Sequence, residues 1–505
     1  MSIIEATEFE GIDKPELFFG LAAAVGAPLS VFAPLLVNAL SARGYVTEII
    51  QLSDFLAGFK LPTPHPPPSA REYQRIDALM SRGNELRQMS GGSDALALLF
   101  AARIQGKRPD RDAALSGRAF VIRQMKHPDE VVSLRRVYGN AFHLIGLYSP
   151  TSDRKRYLIR EREMSEDEAD KLIKRDEGED IKWGQQLRNT FSMADVFMEM
   201  RESENSTALV LSQISRFLDI LFGADILSPT RDEYGMYLAY AAALRSIDLS
   251  RQVGASIVDP HGELVSLGAN EVPAFGGGQY WGPPNDQRDA ARGYDSNERM
   301  KRDAVVELLP FLYPGWGSLS EEQRMVEQDR IFKLLEKTRA MNLTEFGRAV
   351  HAEMEAILSA ARKSTSMRKG KLYTTTFPCH NCTKHIIDAG IDRVVYIEPY
   401  AKSLAGQLHD DAISLAEDGV SATGKVLFEP FVGVAPRRYS LLFSGTAEDG
   451  HRFRRKFLDG SVDRTPLGLR LKASPLTYID REQIAALAAK RFAQLNKEDH
   501  GEGIA

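Results

Sequence analysis

Cysteine is scarce: the 505 residues hold two, Cys379 and Cys382. A fold stapled by disulfides is excluded, and two thiols set this close together suit a reducing compartment. Surplus positive charge is missing as well. Lys and Arg number 64 against 69 Asp and Glu, a net charge of −5. That argues against indiscriminate nucleic-acid binding but leaves room for a local basic pocket. No apolar run approaches the roughly 20 residues that cross a bilayer, so no membrane partner is expected. The opening stretch Met1–Glu10 is acidic and lacks the layout of a signal peptide, which makes a cytoplasmic location the expectation. What remains is ordinary for a soluble globular protein, 43% hydrophobic and 26% charged, and the length suits two or three domains.

Both cysteines fall in one motif. His351-Ala352-Glu353 is followed downstream by Pro378-Cys379-His380-Asn381-Cys382. One His and two Cys give a zinc ion three protein ligands and leave the fourth position open, as hydrolytic zinc sites do. His351, Cys379 and Cys382 are the candidate ligands. Glu353, two residues from the ligand His, is the candidate proton carrier. Lys371–Phe377 is β-branched and aromatic and reads as a strand. A helix is expected from Pro378 through Asp388, stopped by Gly390, with both thiols on one face of its first turn. His351–Arg362 reads as a second, amphipathic helix. The competing reading is a redox pair or a buried structural thiol pair, neither of which needs a His-x-Glu upstream. His380 and His385 are rival ligands by proximity only. Glu355 is a rival proton carrier, expected instead to be an exposed helix charge.

The chain in order reads as α/β. Strands are expected at Glu16–Ala24, Tyr45–Leu52, Arg118–Gln124 and Ala141–Tyr148, with helices at Ser30–Arg43 and His127–Tyr138. Strand, glycine loop, helix, strand is the opening of a parallel sheet. Leu61–Pro68 is a stiff proline-rich connector, and Asp153–Asp180 a charged helical pair. Asn205–Phe222 is an amphipathic helix, and a boundary falls near Leu227–Arg231. Then come a helix over Asp232–Ile247, a hairpin of Val253–Val258 and Leu264–Gly268 turning at Asp259–Gly262, and a strand at Val394–Glu398.

Residues from about 12 to 228 resemble a P-loop nucleotide-kinase domain. The likeness rests on the first strand-loop-helix, on Val131–Gly146, and on Arg154 and Arg156 where such kinases carry lid arginines. Gly20–Pro28 departs from that pattern, because it lacks the Lys-Ser/Thr pair that grips phosphate and magnesium. Kinase activity is therefore not expected. A nucleotide held by loop amides, or a scaffold or docking role, stays open.

The second half resembles deoxycytidylate deaminases of the zinc-dependent cytidine deaminase superfamily. Its residues are Leu249–Val258, Gly268–Pro273, His351–Glu353, Pro378–Cys382 and Val395–Tyr400. The whole layout, with the tail Phe428–Tyr439, is similar to bacterial antiviral deoxycytidylate deaminases. The expected domains are a degenerate kinase-like domain over 1–228, a deaminase domain of α/β/α type over 229–422, and a C-terminal extension over 423–505. The resemblance implies that dCMP, dCTP or both are converted into deoxyuridine nucleotides and ammonia, with zinc as cofactor. It also implies anti-phage defence by depleting dCTP, a small inhibitory RNA as partner, and a homo-oligomer. Glu353 would move protons to N3 of the base and to the departing ammonia.

Asn270 corresponds to the family asparagine that hydrogen-bonds the nucleoside, though Asn is also a common turn former. Tyr396 and Tyr400 are candidates to flank sugar or base, though an aromatic in a strand more often belongs to the core. Arg251, Lys402 and His409 are candidates for phosphate. An insertion of more than seventy residues separates Pro273 from His351, over about 274–345. Its glycine and tryptophan run, Gly276–Pro284, reads either as a lid or nucleotide loop or as an oligomer contact. Two other functions fit parts of the sequence: a deaminase editing tRNA, and a regulatory protein that senses nucleotides through its first domain.

Overall fold

β1, Leu17–Ala23, is buried at all seven positions. A strand that is apolar on both faces belongs in the middle of a covered sheet, and that is where it lies. In the computed structural model it pairs in parallel with β3 (Arg118–Arg123) on one side and β4 (Phe142–Tyr148) on the other. β2 (Val46–Gln51), exposed or half-exposed at most positions, takes the edge beyond β3. β5 (Val196–Glu199) runs parallel to β4. The structure describes residues 14–110, 113–179, 183–224, 227–336, 338, 340–400, 402–416, 424–447, 450, 452–464, 469–471 and 475–498. The acidic start Met1–Glu10 lies outside them. No helix among the described residues is long and apolar enough to cross a membrane.

The second sheet is built from β6 (Gly254–Val258), β7 (Leu264–Ala269), β8 (Lys371–Thr376), β9 (Arg393–Glu398), β10 (Ile413–Leu415) and β11 (Val426–Pro430), in the order β10-β11-β9-β8-β6-β7. β6 and β7 form the expected antiparallel hairpin. Asp259 accepts the backbone N–H groups of His261 and Glu263 at its turn, and Gly262 takes the left-handed φ of 93° that the reversal needs. β8 runs antiparallel to β6 and parallel to β9.

The chain divides into two compact units, the first reaching Glu233 and the second holding Tyr234–Leu415. The expected division at 228/229 lies five residues before that point. The expected boundary at 422/423 lies outside the described residues. The tail is not an appendage: residues from Pro430 onward belong to the first unit. β12 (Gly433–Val434) pairs antiparallel with β5, giving the order β12-β5-β4-β1-β3-β2. Helix Pro475–Glu498 packs along helix Ala95–Gln105. There Arg108, fully buried, donates to Glu482 at 2.6 and 2.9 Å and to Glu16 at 3.0 Å, and the Tyr478 hydroxyl donates to Glu16. Glu16 and Glu482 are both fully buried. A charge buried like this is tolerated only because its hydrogen-bonding capacity is met by partners.

Two lid arginines of the sequence reading have other work. Arg154 is buried and donates to the carbonyls of Ser149 and Val25, bracing the loop after β1. Arg156 is exposed and pairs with Asp153 and Glu202.

His143 on β4 sits 1% exposed against the rings of Phe19 and Phe217. Burial holds its imidazole down to about 3, helped by the charges of Arg438 and Arg135 and opposed by Asp195. A depressed folded value means that the unfolded chain takes the proton first. The stability from neutral His143 is complete above about 6.5 and drains as pH falls toward 3, by about 2–4 kcal/mol. Urea titrations from pH 7 to 4 are expected to show this loss, and His143→Gln to flatten it.

Candidate active site

Two helices begin at the site, each capped by a residue of the motif. His351 is the N-cap of helix Ala352–Arg362 and Cys379 that of helix His380–Asp388. The second helix starts two residues later than expected, so Cys379 is an extended cap, and its sulfur accepts the Cys382 N–H at 3.4 Å. The first helix is pressed onto the β6–β7 hairpin. A Cβ on Gly268 would lie 2.1 Å from the Ala352 carbonyl oxygen, so only glycine allows this approach. Ala352, itself fully buried, carries His351 and Glu353 on either side of it.

His351, Cys379 and Cys382 place their donor atoms within 4.8 Å of one another. His351 Nδ1 stands 3.4 Å from each sulfur. A nitrogen and a sulfur bound to one zinc at about 2.0 and 2.3 Å, at the tetrahedral angle, lie about 3.5 Å apart. The three residues fit zinc, and Cys379 and Cys382 are free thiols. His380 and His385 are not in the cluster.

The electrostatics suit donors that must give up protons. The hydrogen bond from the Cys382 thiol, and then the His351 imidazole, pull Cys379 down to about 4. The Cys379 sulfur lifts His351 to about 9. Cys382 is pushed up by its hydrogen bond with Cys379 and by burial. Zinc uptake would release these protons. Glu353 is 4% exposed, and its Oε2 lies 3.4 Å from the Cys382 sulfur. Burial raises its carboxyl above the usual range, which suits a group that takes and returns a proton near neutrality.

These residues floor a cavity of about 400 Å³ lined by His351, Glu353 and Cys379. Asn270 and Tyr400 stand in its wall, and Arg251 and Lys402 also line it. Asn270 is 8% exposed. It accepts the Val253 N–H and donates to the Arg251 carbonyl, both at 2.7 Å, so it anchors the 251–253 loop as well as facing the cavity. Arg251 is half-exposed and pairs with Glu398 at 3.0 Å. Burial and the Cys379 charge raise the Tyr400 phenol.

Three expectations need correction. Tyr396 belongs to the core behind β9, edge-on to Phe377, and is not in the cavity wall, because its side chain alternates to the other face of the strand. His409 is turned to the His380 carbonyl at 3.2 Å, away from the cavity. Glu355 is not an exposed charge: it is 7% exposed and paired with Arg362 at 2.6 Å.

The insertion contributes wall residues that no spacing rule flagged. Arg288, Asp289, Asp295 and Asn297 line the cavity, whereas the glycine and tryptophan run stays out of it. Trp281 lies over the Arg245 guanidinium at 3.8 Å instead. Arg288, 7% exposed, bridges Asp286 of the insertion at 2.6 Å and the buried Glu271 at 3.3 Å. Glu271 also accepts the Ile247 N–H at 3.0 Å. Arg348, three residues before the ligand His, lines the cavity and pairs with Asp289 at 2.8 Å. Asn285–Asp289 is a run of polar residues, and nothing in the sequence ties it to His351.

Residues 229–398 match the family model for the cytidine and deoxycytidylate deaminase zinc-binding region. The matched region holds the whole cluster and the insertion and leaves residues 1–228 outside. The chain is 29% identical over 171 residues to a deoxycytidylate deaminase of Enterobacteria phage T2, covering 34% of this chain and 81% of that protein. It is 28% identical over 165 residues to a deoxycytidylate deaminase of Homo sapiens, covering 33% and 63%. A crystal structure of the dCMP deaminase from the cyanophage S-TIM5 is 18% identical, covers 40% of this chain and 99% of that one, and has a TM-score of 0.22. The family model and the curated relatives support a nucleotide deaminase, and zinc is the metal of this centre.

Elemental analysis is expected to find one zinc per chain, falling well below that in Cys382→Ala. Gly268→Ala touches no ligand, yet it is expected to lower zinc occupancy and cost about 1–3 kcal/mol in denaturant titration, because the helix carrying His351 must move.

Proposed function

We propose that the second unit hydrolyses the amino group from deoxycytidine nucleotides, dCMP, dCTP or both, giving deoxyuridine nucleotides and ammonia. One observation carries the reading: a buried Glu353 beside a His-Cys-Cys cluster, in a cavity also lined by Arg251, Arg348 and Lys402. Zinc held by His351, Cys379 and Cys382 would supply an acidified water in the open coordination position. Glu353 would accept one proton from the attacking water and pass it to N3 of the base, then accept the second, from the hydroxyl now on C4, and pass it to the amine as that leaves as ammonia. Its burial favours the protonated form that this return requires. Asn270 fixes the Arg251–Val253 loop and keeps a second amide N–H for the nucleoside. Lys402, with Arg251 and Arg348 turning from Glu398 and Asp289, would meet the substrate phosphate.

The first unit supports the kinase-like reading through its parallel strand order, β2-β3-β1-β4-β5, while the loop without lysine argues against phosphoryl transfer. Exposed Leu308, Phe311, Leu312, Val326 and Leu334 on the insertion helices support self-association. Depletion of dCTP during phage infection, a cytoplasmic location and restraint by a small RNA complete the proposal.

Purified protein incubated with dCMP, dCTP, CMP, CTP and a short tRNA stem is expected to release ammonia from the deoxycytidine nucleotides. Glu353→Ala is expected to keep zinc and lose turnover by about 10²–10⁴-fold. Deamination of the tRNA alone would overturn the substrate assignment. Arg348→Ala is expected to raise KM more than it lowers kcat, because it removes a phosphate-side contact remote from the reacting carbon.

A further inference from the structure

One cation in the wall of the site cavity differs from the others. The side chains of Arg251 and Arg348 are 51% and 27% exposed, and that of Arg288 is 8% exposed. Every nitrogen of the Arg288 guanidinium is engaged. Nε donates to Asp286 Oδ1 at 2.8 Å and Nη2 to Asp286 Oδ2 at 2.6 Å, a two-pronged grip on one carboxylate. Nη1 donates to Glu271 Oε2 at 3.3 Å. The Arg288 backbone N–H returns to Asp286 at 3.1 Å, so the insertion holds its own arginine in place.

Glu271, the far partner, is 1% exposed and stands where three parts of the site meet. Its carboxylate accepts the Ile247 and Val272 N–H groups, each at 3.0 Å. Its main chain forms an antiparallel bridge with Val350. The Glu271 N–H donates to the Val350 carbonyl at 3.2 Å, and the Glu271 carbonyl accepts the Val350 N–H at 3.0 Å. Gln279 donates to that same carbonyl at 3.2 Å. Val350 directly precedes His351, and Asn270 directly precedes Glu271. The bridge therefore joins the chain entering the zinc cluster to the chain carrying the nucleoside-side asparagine.

A carboxylate this deeply buried is held by its counter-charge. Without Arg288, Glu271 would keep its two amide donors but lose the cation that offsets its desolvation. The ways to relieve that cost are to take up a proton or to move toward water, and movement carries the main-chain bridge with it. A guanidinium suits the Arg288 position because its planar fork meets two carboxylates in fixed directions at once, which a single ammonium cannot do.

We propose that Arg288 is a positioning residue for the zinc centre and not a contact for substrate phosphate: by neutralising Glu271 it fixes the Glu271–Val350 bridge, and the bridge sets where His351 and Asn270 stand. The kinetic part of this inference rests on the deaminase reading, and the metal part does not. The test compares full-length wild type, Arg288→Met, Arg288→Lys and the double variant Arg288→Met/Glu271→Gln. Zinc affinity is measured by competition with a chelator, and kcat and KM with the deoxycytidine nucleotide that wild type turns over. Arg288→Met is expected to weaken zinc by about tenfold, as loss of a group that orients a ligand does. It is expected to lower kcat by about tenfold while KM moves less than about threefold, since no ground-state contact with substrate is removed. Arg288→Lys should be as impaired as Arg288→Met, whereas a phosphate contact would tolerate the point charge of lysine. The double variant should regain most of the zinc affinity and kcat, because the buried carboxylate has gone with its cation. Should Arg288→Met fail to fold, Arg288→Lys and the double variant carry the same comparisons against wild type. Unchanged zinc affinity in the single variants, a KM that rises more than kcat falls, wild-type behaviour of Arg288→Lys, or a double variant as impaired as the singles would each overturn the proposal. A wild type that deaminates no nucleotide would overturn the deaminase reading instead, and zinc affinity would then decide this inference by itself.

Discussion

Glu353 is a carboxyl group placed where carboxylates are costly, 4% exposed and in contact with a sulfur of the cluster. Everything else in the second unit either puts it there or depends on its being there. Burial in a low-dielectric floor favours the protonated acid, and a nearby dication favours the anion. A group held between those two pulls would be suited to the proton transfers that the proposed deamination needs. The helix that delivers it is located on the hairpin by the close approach of Gly268 to Ala352 and by the Ser266 hydroxyl, which donates to the Ala356 carbonyl at 2.7 Å.

The insertion is tied into that centre by charge. Arg288 joins Asp286 to the buried Glu271, and Glu271 is fixed in turn to the Ile247 amide. Asn270, the neighbour of Glu271, is bonded to the Arg251–Val253 loop. A long excursion between β7 and His351 thus ends up sharing one polar network with the nucleoside side of the cavity. Removing either partner of such a pair leaves a buried charge uncompensated, which is why the network holds the wall in one arrangement.

The site was legible where chemistry demands particular residue types at particular spacings. His351, Cys379 and Cys382, read from the string as candidate ligands, come together with Glu353 beside Cys382, and the elements that carry them, helices Ala352–Arg362 and His380–Asp388 and strand Lys371–Thr376, fall within two residues of expectation. Tyr396 stayed open between core and cavity because an aromatic in a strand can face either, and only the register with β8 decides which. Glu355 was misread because its partner Arg362 lies two turns along the same helix, beyond the four-residue spacing that flags helix ion pairs. Arg288 and Arg348 were missed because their importance comes from distant neighbours. The sheet order of the first unit, and the return of the tail to it, involve pairings between residues hundreds apart that local patterns do not encode.

That return bears on how the polypeptide is made. Arg108 and Glu16 are buried by a helix, Pro475–Glu498, that emerges from the ribosome only after all of the second unit. Until then the first unit carries an open apolar groove along helix Ala95–Gln105 and an ionic cluster lacking one of its acids. The second unit, by contrast, is continuous from Tyr234 to Leu415 apart from one short later segment. The unit whose translation begins first is thus completed by the segment translated last.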